Sequence, residues 1–356
     1  MRVGVVGNGY WGSRHLRVLH QIVGVDEVSV IDERPGAQEL AKRSFPGTRT
    51  FDSLRAALPA LDAVVIATPP STHEHLGLMA IRAGKHVLVE KPMATSTTAA
   101  RTMIEEAGLA GVTLMVGHTF RYSDAVDKLH EIVSSDDLGS IQYIDTSRLN
   151  LGIYQRDVNV VWDLAPHDIS IVNHLLGRLP SSVQAWGSCH MAPQVEDVAY
   201  LHLHYPDSEV TAVIAVSWLS PCKVRRVTVV GSQKMAVYDD MAEQEPVRVY
   251  DKCVLRPEVT ESFPALPISY RYGDIVSPYV HLREPLMRED QDFVDCIQHG
   301  ERPTSDGWSG LGVVKVLEAA TASLQLNAEV VVDTLETLPP RGRRNLQSPL
   351  LNGAHR

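Results

Sequence analysis

The string Gly7-Asn8-Gly9-Tyr10-Trp11-Gly12 stands directly behind the β-branched run Arg2–Val6 and opens the helix-like stretch Gly12–Ile22. That placement constrains the fold more than any other feature of the chain. The first glycine permits a tight turn out of a strand, the second lets backbone approach a pyrophosphate, and the third allows close helix–strand packing. Backbone N–H groups and the dipole at the helix start then hold the negative charge. Asp32 follows the next strand-like run, Val28–Ile31, and lies twenty residues past Gly12, where a carboxylate is expected to meet the adenosine ribose hydroxyls. Asp32 and Glu33 would repel a 2′-phosphate, so NAD is expected rather than NADP, with Arg34 close enough to blur the choice.

The first 120 residues continue in the same alternation. Helix patterns at Gly36–Ser44, His73–Ala83 and Thr97–Ala107 separate strand patterns at Ala63–Thr68, His86–Val89 and Thr113–Val116. Strands alternating with helices at this spacing pair in parallel through right-handed crossovers, which predicts a Rossmann-type doubly wound α/β sheet. From residue 121 the texture changes. A helix pattern over Ala125–Ser134 is followed by long strand patterns at Ile141–Asn150, Ser182–His190, Val198–Tyr205, Glu209–Trp218, Val224–Val230 and Val247–Leu255. With helices around Pro166–Leu176 and over Gly310–Leu326, residues 121–338 read as an α+β domain on an open, mostly antiparallel sheet. Residues 339–356 read as a polar tail.

The balance of charge narrows the partners. Lys plus Arg number 33 against 43 Asp plus Glu, a formal charge of −10, so bulk attraction to nucleic acid or anionic membrane is not expected. No apolar run approaches the roughly 18 residues of a spanning helix, and the N-terminus runs into a strand pattern without a secretory leader. The cysteines Cys189, Cys222, Cys253 and Cys296 are widely spaced and form no metal-type pair, which fits reduced thiols in the cytoplasm. No metal site is expected: His73 and His75 lack a third ligand, and His202 and His204 read as a solvent- or subunit-facing pair on one strand face.

Three further strings lie in order along the chain: Ala67-Thr68-Pro69-Pro70-Ser71-Thr72-His73, Val89-Glu90-Lys91-Pro92 and Asp163-Leu164-Ala165-Pro166-His167-Asp168. Together with the glycine loop they resemble the glucose–fructose oxidoreductase/inositol dehydrogenase/rhizopine catabolism protein family, shortened to Gfo/Idh/MocA, over nearly the whole chain. The resemblance implies a Rossmann domain plus an open-faced sheet domain, an NAD(P) cofactor, and hydride exchange with a carbohydrate or cyclitol. It also implies a cis peptide before Pro92 and an active-site role for Lys91, Asp163 and His167. The residues agree with that role. Lys91 falls where the parallel strands end, the place open α/β sheets bind ligands, and its ammonium could steady a developing alkoxide. Asp163 and His167, four apart, share a helix face. His167 is the candidate general base, Asp163 its orienting partner, and Asp168 a secondary one. If Asp163 caps the helix, Pro166 falls in its first turn and is tolerated there. Besides Gly7 to Gly12 and Asp32 to Arg34, the expected cofactor wall comprises Thr68, Pro69, Pro70, His73, Glu90, Lys91, Pro92 and His118.

The expected substrate side is Arg121, Tyr122, Arg148, Asn150, Tyr154, Arg156, Asn159 and Trp162, with Asp163 and His167. The arginines and asparagines can bind hydroxyls or phosphates, and the aromatic rings offer faces to a sugar. This region resembles relatives that oxidise nucleotide-linked or aminoglycoside-type hexoses, often at C3, in biosynthesis of an antibiotic or glycan. An inositol-type cyclitol dehydrogenase or a keto-sugar reductase is the close alternative. A non-catalytic NAD-binding regulator and an NAD-assisted glycosidase are more distant; the first would bind cofactor without turnover, and the second would accumulate no NADH. Strand residues Val198, Leu201, Val210 and Trp218 are expected to pair face to face in a homo-oligomer, a dimer or tetramer.

Overall fold

The computed structural model describes residues 1–152, 154, 158–205, 210–255 and 269–334; Arg156 and the tail 339–356 lie outside them. The first part of the chain runs β1 (Arg2–Val6), α1 (Tyr10–Leu19), β2 (Glu27–Ile31), α2 (Pro35–Ser44), β3 (Arg49–Phe51), α3 (Leu54–Ala57), β4 (Ala63–Ile66), α4 (His73–Arg82), β5 (His86–Glu90), α5 (Thr97–Ala110) and β6 (Leu114–Gly117). The six strands form one sheet in the order β3-β2-β1-β4-β5-β6, every pair parallel. The order reverses beside β1, and this switch point brings the ends of β1 and β4 together. Continuous apolar runs follow from burial on both faces: Ala63, Val64, Val65 and Ile66 have no exposed surface. Each large side chain so buried stabilises the fold by about 1.5–3 kcal/mol. Short β3, at the sheet edge, was not anticipated.

The second part runs α6 (Asp124–Ser134), β7 (Ile141–Leu151), α7 (Val160–Leu176), β8 (Ser182–Ser188), β9 (Val198–Tyr205), β10 (Val210–Ser217), β11 (Leu219–Gly231), β12 (Met235–Asp239), β13 (Val247–Leu255), β14 (Ser269–Val276), α8 (Pro285–His299), α9 (Gly307–Leu326) and β15 (Val330–Val331). Among the described residues nine strands make the second sheet, in the order β14-β13-β12-β11-β7-β10-β9-β8-β15. Its pairs are antiparallel except β7 with β10. One face is apolar and packs beneath α7 and α9, while α8 crosses back to pack on α1.

Two expectations are corrected here. Helix α7 starts earlier than expected: Asn159 is its cap, accepting from the Trp162 N–H at 3.2 Å, so Asp163 lies within the first turn and Pro166 inside the helix. Pro166 therefore deletes the N–H that would bond the Trp162 carbonyl. Three of the four residues expected to meet a partner copy are also placed elsewhere, while half-buried Val198 keeps the phase of Tyr200. Leu201, Val210 and Trp218 are buried on the inner face, because alternation phases them toward the helices. The outward face of the same sheet carries Tyr143, Trp186, Tyr200 and His202.

Candidate active site

The glycine loop forms the floor of a long trough. Gly7 has φ +86°, a left-handed conformation that an L side chain resists, and a Cβ on Gly12 would lie 1.8 Å from the Gly7 carbonyl oxygen. In contrast, a Cβ on Gly9 would meet nothing within 4 Å, so the loop is open toward the cleft while its back is sealed against α1. One chamber of about 850 Å3 runs from Gly7 and Gly9 past Asp32, Glu33 and Arg34 to His75. A second, of about 520 Å3, is lined by Tyr10, Trp11, Glu90, Lys91, Pro92, Val158, Trp162 and Asp163. Both include Ala67, Thr68 and Pro69 in their walls, so the two chambers meet at the end of β4. A trough bent around a helix N-terminus, with a carboxylate at one end and an ammonium at the other, fits a dinucleotide.

At the adenosine end, Asp32 accepts the Asn8 N–H at 2.8 Å, while the Arg34 fork reaches both its oxygens at 2.8 and 2.7 Å. The Arg34 hydrogen bonds hold the Asp32 carboxyl at about 2. It is thus charged throughout the neutral range.

At the other end the Lys91–Pro92 peptide is cis. The Lys91 ammonium donates to the Asp163 carbonyl oxygen at 2.8 Å and lies 3.6 Å from its carboxylate. Asp163 also accepts from the Trp218 indole at 2.9 Å. This corrects its expected role: its carboxylate engages Trp218 and Lys91, and no hydrogen bond joins it to His167 among the described residues. His167 lies one turn further along α7, 9% exposed. Its Nδ1 has no hydrogen-bond partner among the described residues. Burial first, then the charges of Lys91 and Arg148, push this imidazole well below its usual range. A buried neutral ring can accept a proton and is not consumed by an internal partner. His118, at the end of β6, is held at about 3 by burial and then by Arg121 and Lys91. Two neutral imidazoles therefore share the electrostatic reach of Lys91.

The remaining expected residues divide. Thr68, Pro69, Pro70, Glu90, Pro92 and Trp162 line the inner chamber with Lys91 and Asp163. His73 does not face the trough: it is fully buried, and its ring spans the Thr68 and Pro92 carbonyls at 2.8 Å each, bracing two wall segments. Tyr122 is buried, with its hydroxyl against Asp292 and Ser305 at 2.9 and 3.0 Å, and cannot reach a ligand. Arg148 and Asp168 form a buried ion pair at 2.6 Å, so neither acts alone. Asn159 caps α7 and donates to Glu196 at 2.7 Å. Tyr154 packs against Trp218 at 5.0 Å between ring centres, and Arg121 is buried near His118. Asn150, on β7, carries a buried side-chain oxygen without a partner among the described residues.

Three contributors were missed. Phe120 stands edge-on to His167 at 5.0 Å and carries the Arg148 guanidinium over its ring at 4.3 Å. Arg225 on β11 approaches the same ring at 5.5 Å, and Trp218 holds Asp163. Phe120 was within sight, two residues past His118. Arg225 and Trp218 come from distant strands and carried no local signal.

Comparison with known proteins agrees with this construction. Residues 1–118 match a family model described as "Oxidoreductase family, NAD-binding Rossmann fold", and residues 126–237 match the GFO/IDH/MocA C-terminal domain. A UDP-N-acetylglucosamine 3-dehydrogenase of Acidithiobacillus ferrooxidans is 33% identical over 52% of this chain and 58% of that protein. The inositol 2-dehydrogenase of Leifsonia xyli subsp. xyli is 32% identical over 52% of this chain and 56% of its own length. The chain thus spans little more than half the length of these curated relatives. A crystal structure of UDP-N-acetylglucosamine 3-dehydrogenase GnnA from Acidithiobacillus ferrooxidans superposes with a TM-score of 0.76 at 25% identity, covering 92% of this chain and 98% of that one. GenD2 from gentamicin A biosynthesis, in complex with NAD, superposes at 0.77 with 26% identity, covering 93% and 96%. Matched in both halves and in order, the chain belongs to the Gfo/Idh/MocA family, with that family's NAD-binding Rossmann fold.

Proposed function

We propose that the protein is an NAD-dependent dehydrogenase that oxidises a ring hydroxyl, at C3, of a hexose in a nucleotide sugar or aminoglycoside. The observation that carries this reading is the meeting of the Lys91 ammonium with α7 at the inner end of a dinucleotide-shaped trough, beside the buried neutral His167. NAD supplies a hydride acceptor when bound. The chain's own residues do the rest. His167 takes the hydroxyl proton at Nε2, since its Nδ1 is enclosed, and Lys91 steadies the oxygen as charge develops on it. Asp163, tied to Trp218, keeps the ammonium in place. The likeness to named UDP-N-acetylglucosamine 3-dehydrogenase and gentamicin-pathway proteins supports the same class. The cyclitol reading is kept by the inositol dehydrogenase relative. A screen of NADH formation against nucleotide sugars, aminoglycosides and inositols tests both. Turnover on a nucleotide sugar or aminoglycoside supports the first reading, turnover on inositols alone the second, and none on any panel member rejects both.

The adenosine end makes the cofactor preference testable. Removing the Asp32 carboxylate removes a fixed negative charge and releases the Arg34 fork toward a 2′-phosphate. Asp32→Ala is expected to raise the NADP/NAD ratio of kcat/KM at least tenfold, about 1.4 kcal/mol of discrimination. An unchanged ratio would reject this account of specificity.

We also propose a homo-oligomer through the outward face of the second sheet. Trp186 and Tyr200 lie on it as registered neighbours, with ring centres 5.8 Å apart. Light scattering is expected to give a dimer or larger, and a monomer at micromolar concentration would exclude it.

A further inference from the structure

A charged cluster that the mechanism above does not use adjoins the inner chamber through Glu90, one of its lining residues. His15 of α1 has no exposed surface, and neither have Glu289 and Asp290 of α8; Glu90, at the end of β5, is 5% exposed. The His15 ring is gripped on both edges. Nδ1 lies 2.9 and 3.1 Å from the two Asp290 oxygens, and Nε2 lies 3.1 Å from Glu90 Oε1. The other Glu90 oxygen accepts the backbone N–H of Lys91 at 3.1 Å. A single line of contacts therefore runs from α8, through the phosphate-loop helix, to the backbone of Lys91.

We propose that His15 is a positioning residue for Lys91: a buried imidazolium that donates from both ring nitrogens, fixing Glu90 and through it the strand end that presents the ammonium to the substrate oxygen. The inference rests on the role given to Lys91 above. Its first support is geometric. Two ring nitrogens that each meet an ionised carboxylate at hydrogen-bond distance are both satisfied only when both carry a proton. The charges agree. The Asp290 and Glu90 carboxylates outweigh the cost of burial and hold the His15 imidazole well above its usual range. Burial, then the Glu90 charge, push the Glu289 carboxyl well above the usual carboxylate range, so it adds no second uncompensated anion. Breaking such a buried arrangement on one side leaves a desolvated charge unpaired, so the carboxylate that loses the imidazolium must move.

The groups facing His15 are Glu90 from β5 and Glu289 with Asp290 from α8, and the Arg17–Glu284 ion pair borders the same helix contact. His15, Asp290 and Glu289 all bind protons more tightly in the folded protein. Each therefore contributes stability at lower pH that is lost as pH rises through the folded value, and the clamp fails on the alkaline side.

The full-length protein tests this in two ways. In imidazole 15N spectra, with Asp290→Asn identifying the His15 signals, both ring nitrogens are expected to be protonated at pH 8; a ring neutral at pH 7 overturns the proposal. In kinetics, His15→Gln is expected to lower kcat at least tenfold while the NAD dissociation constant changes less than threefold. A variant that melts earlier but keeps kcat within twofold overturns it and leaves the cluster structural. If His15→Gln does not fold, Asp290→Asn serves instead: the alkaline limb of its kcat profile is expected to move down by a unit or more, and an unmoved limb overturns the proposal. Stoichiometric metal in the purified protein would also overturn it, since His15, Glu289 and Asp290 offer ligand atoms within 4.8 Å of one another. The spectra do not depend on turnover, so a protein that oxidises no sugar yet shows a doubly protonated His15 would fail the functional reading alone.

Discussion

His167→Ala is expected to lower turnover about a thousandfold while leaving NAD affinity within a few fold. General bases contribute roughly 10² to 10⁴ to such steps, and no other described group is placed to take the proton as directly. Asp163 is bound to Lys91 and Trp218, and Asp168 is consumed by Arg148. His118 does not substitute, because burial holds it at about 3 and both its ring nitrogens are enclosed. The cofactor should be indifferent, because the glycine loop, Asp32 and the Ala67–Pro69 wall belong to other elements. Near-normal turnover by stopped-flow NADH absorbance would remove His167 from the mechanism. The same environment predicts a pH signature. Because burial and neighbouring cations lower the proton affinity of His167, the neutral base persists to lower pH than in a free imidazole. The acid limb of kcat/KM is therefore expected below the ordinary imidazole value of about 6.5, and a limb at or above it would contradict the burial argument.

Lys91→Met carries the second large effect, about a hundredfold to a thousandfold in kcat, the cost typical of losing one donor to a developing oxyanion. Methionine keeps most of the length and apolar surface of the stem, so the inner chamber should survive. What is lost is the ammonium, with its 2.8 Å hydrogen bond to the Asp163 carbonyl. Removing that positive charge also lifts one of the causes that depress His167. The acid limb of the pH profile should then move upward as the rate falls. Loss of rate with an unmoved limb would mean that Lys91 and His167 do not share one site. Full activity would show that Lys91 is a wall residue only.

These tests bear on residues the sequence exposed with unequal clarity. The glycine loop and the β-branched runs of the first sheet were legible because burial on both faces leaves little freedom of residue type. Lys91 was legible from its place at a strand end. The phase of the second sheet was not: alternation says that Leu201 and His202 face opposite ways, but not which way the helices lie. Edge strand β3, three residues long, carries too few positions for a period to appear. Helix α8 was missed for a more informative reason. Its inward face bears Glu289, Asp290 and Asp292, all buried, so its apolar pattern is interrupted by the very residues that reach His15 and Tyr122. The buried cluster and the site's most distant members, Trp218 and Arg225, become visible only once the strands are paired.

The Lys91 ammonium and the His167 imidazole are expected to serve one reacting carbon at the inner end of the trough. A crystal structure of the NAD complex tests it most directly. The nicotinamide is expected in the chamber lined by Tyr10, Lys91, Pro92 and Asp163, with both Lys91 Nζ and His167 facing the same side of the ring. A nicotinamide bound elsewhere, or a His167 ring walled off from it by Phe120, would exclude a shared site for the two residues.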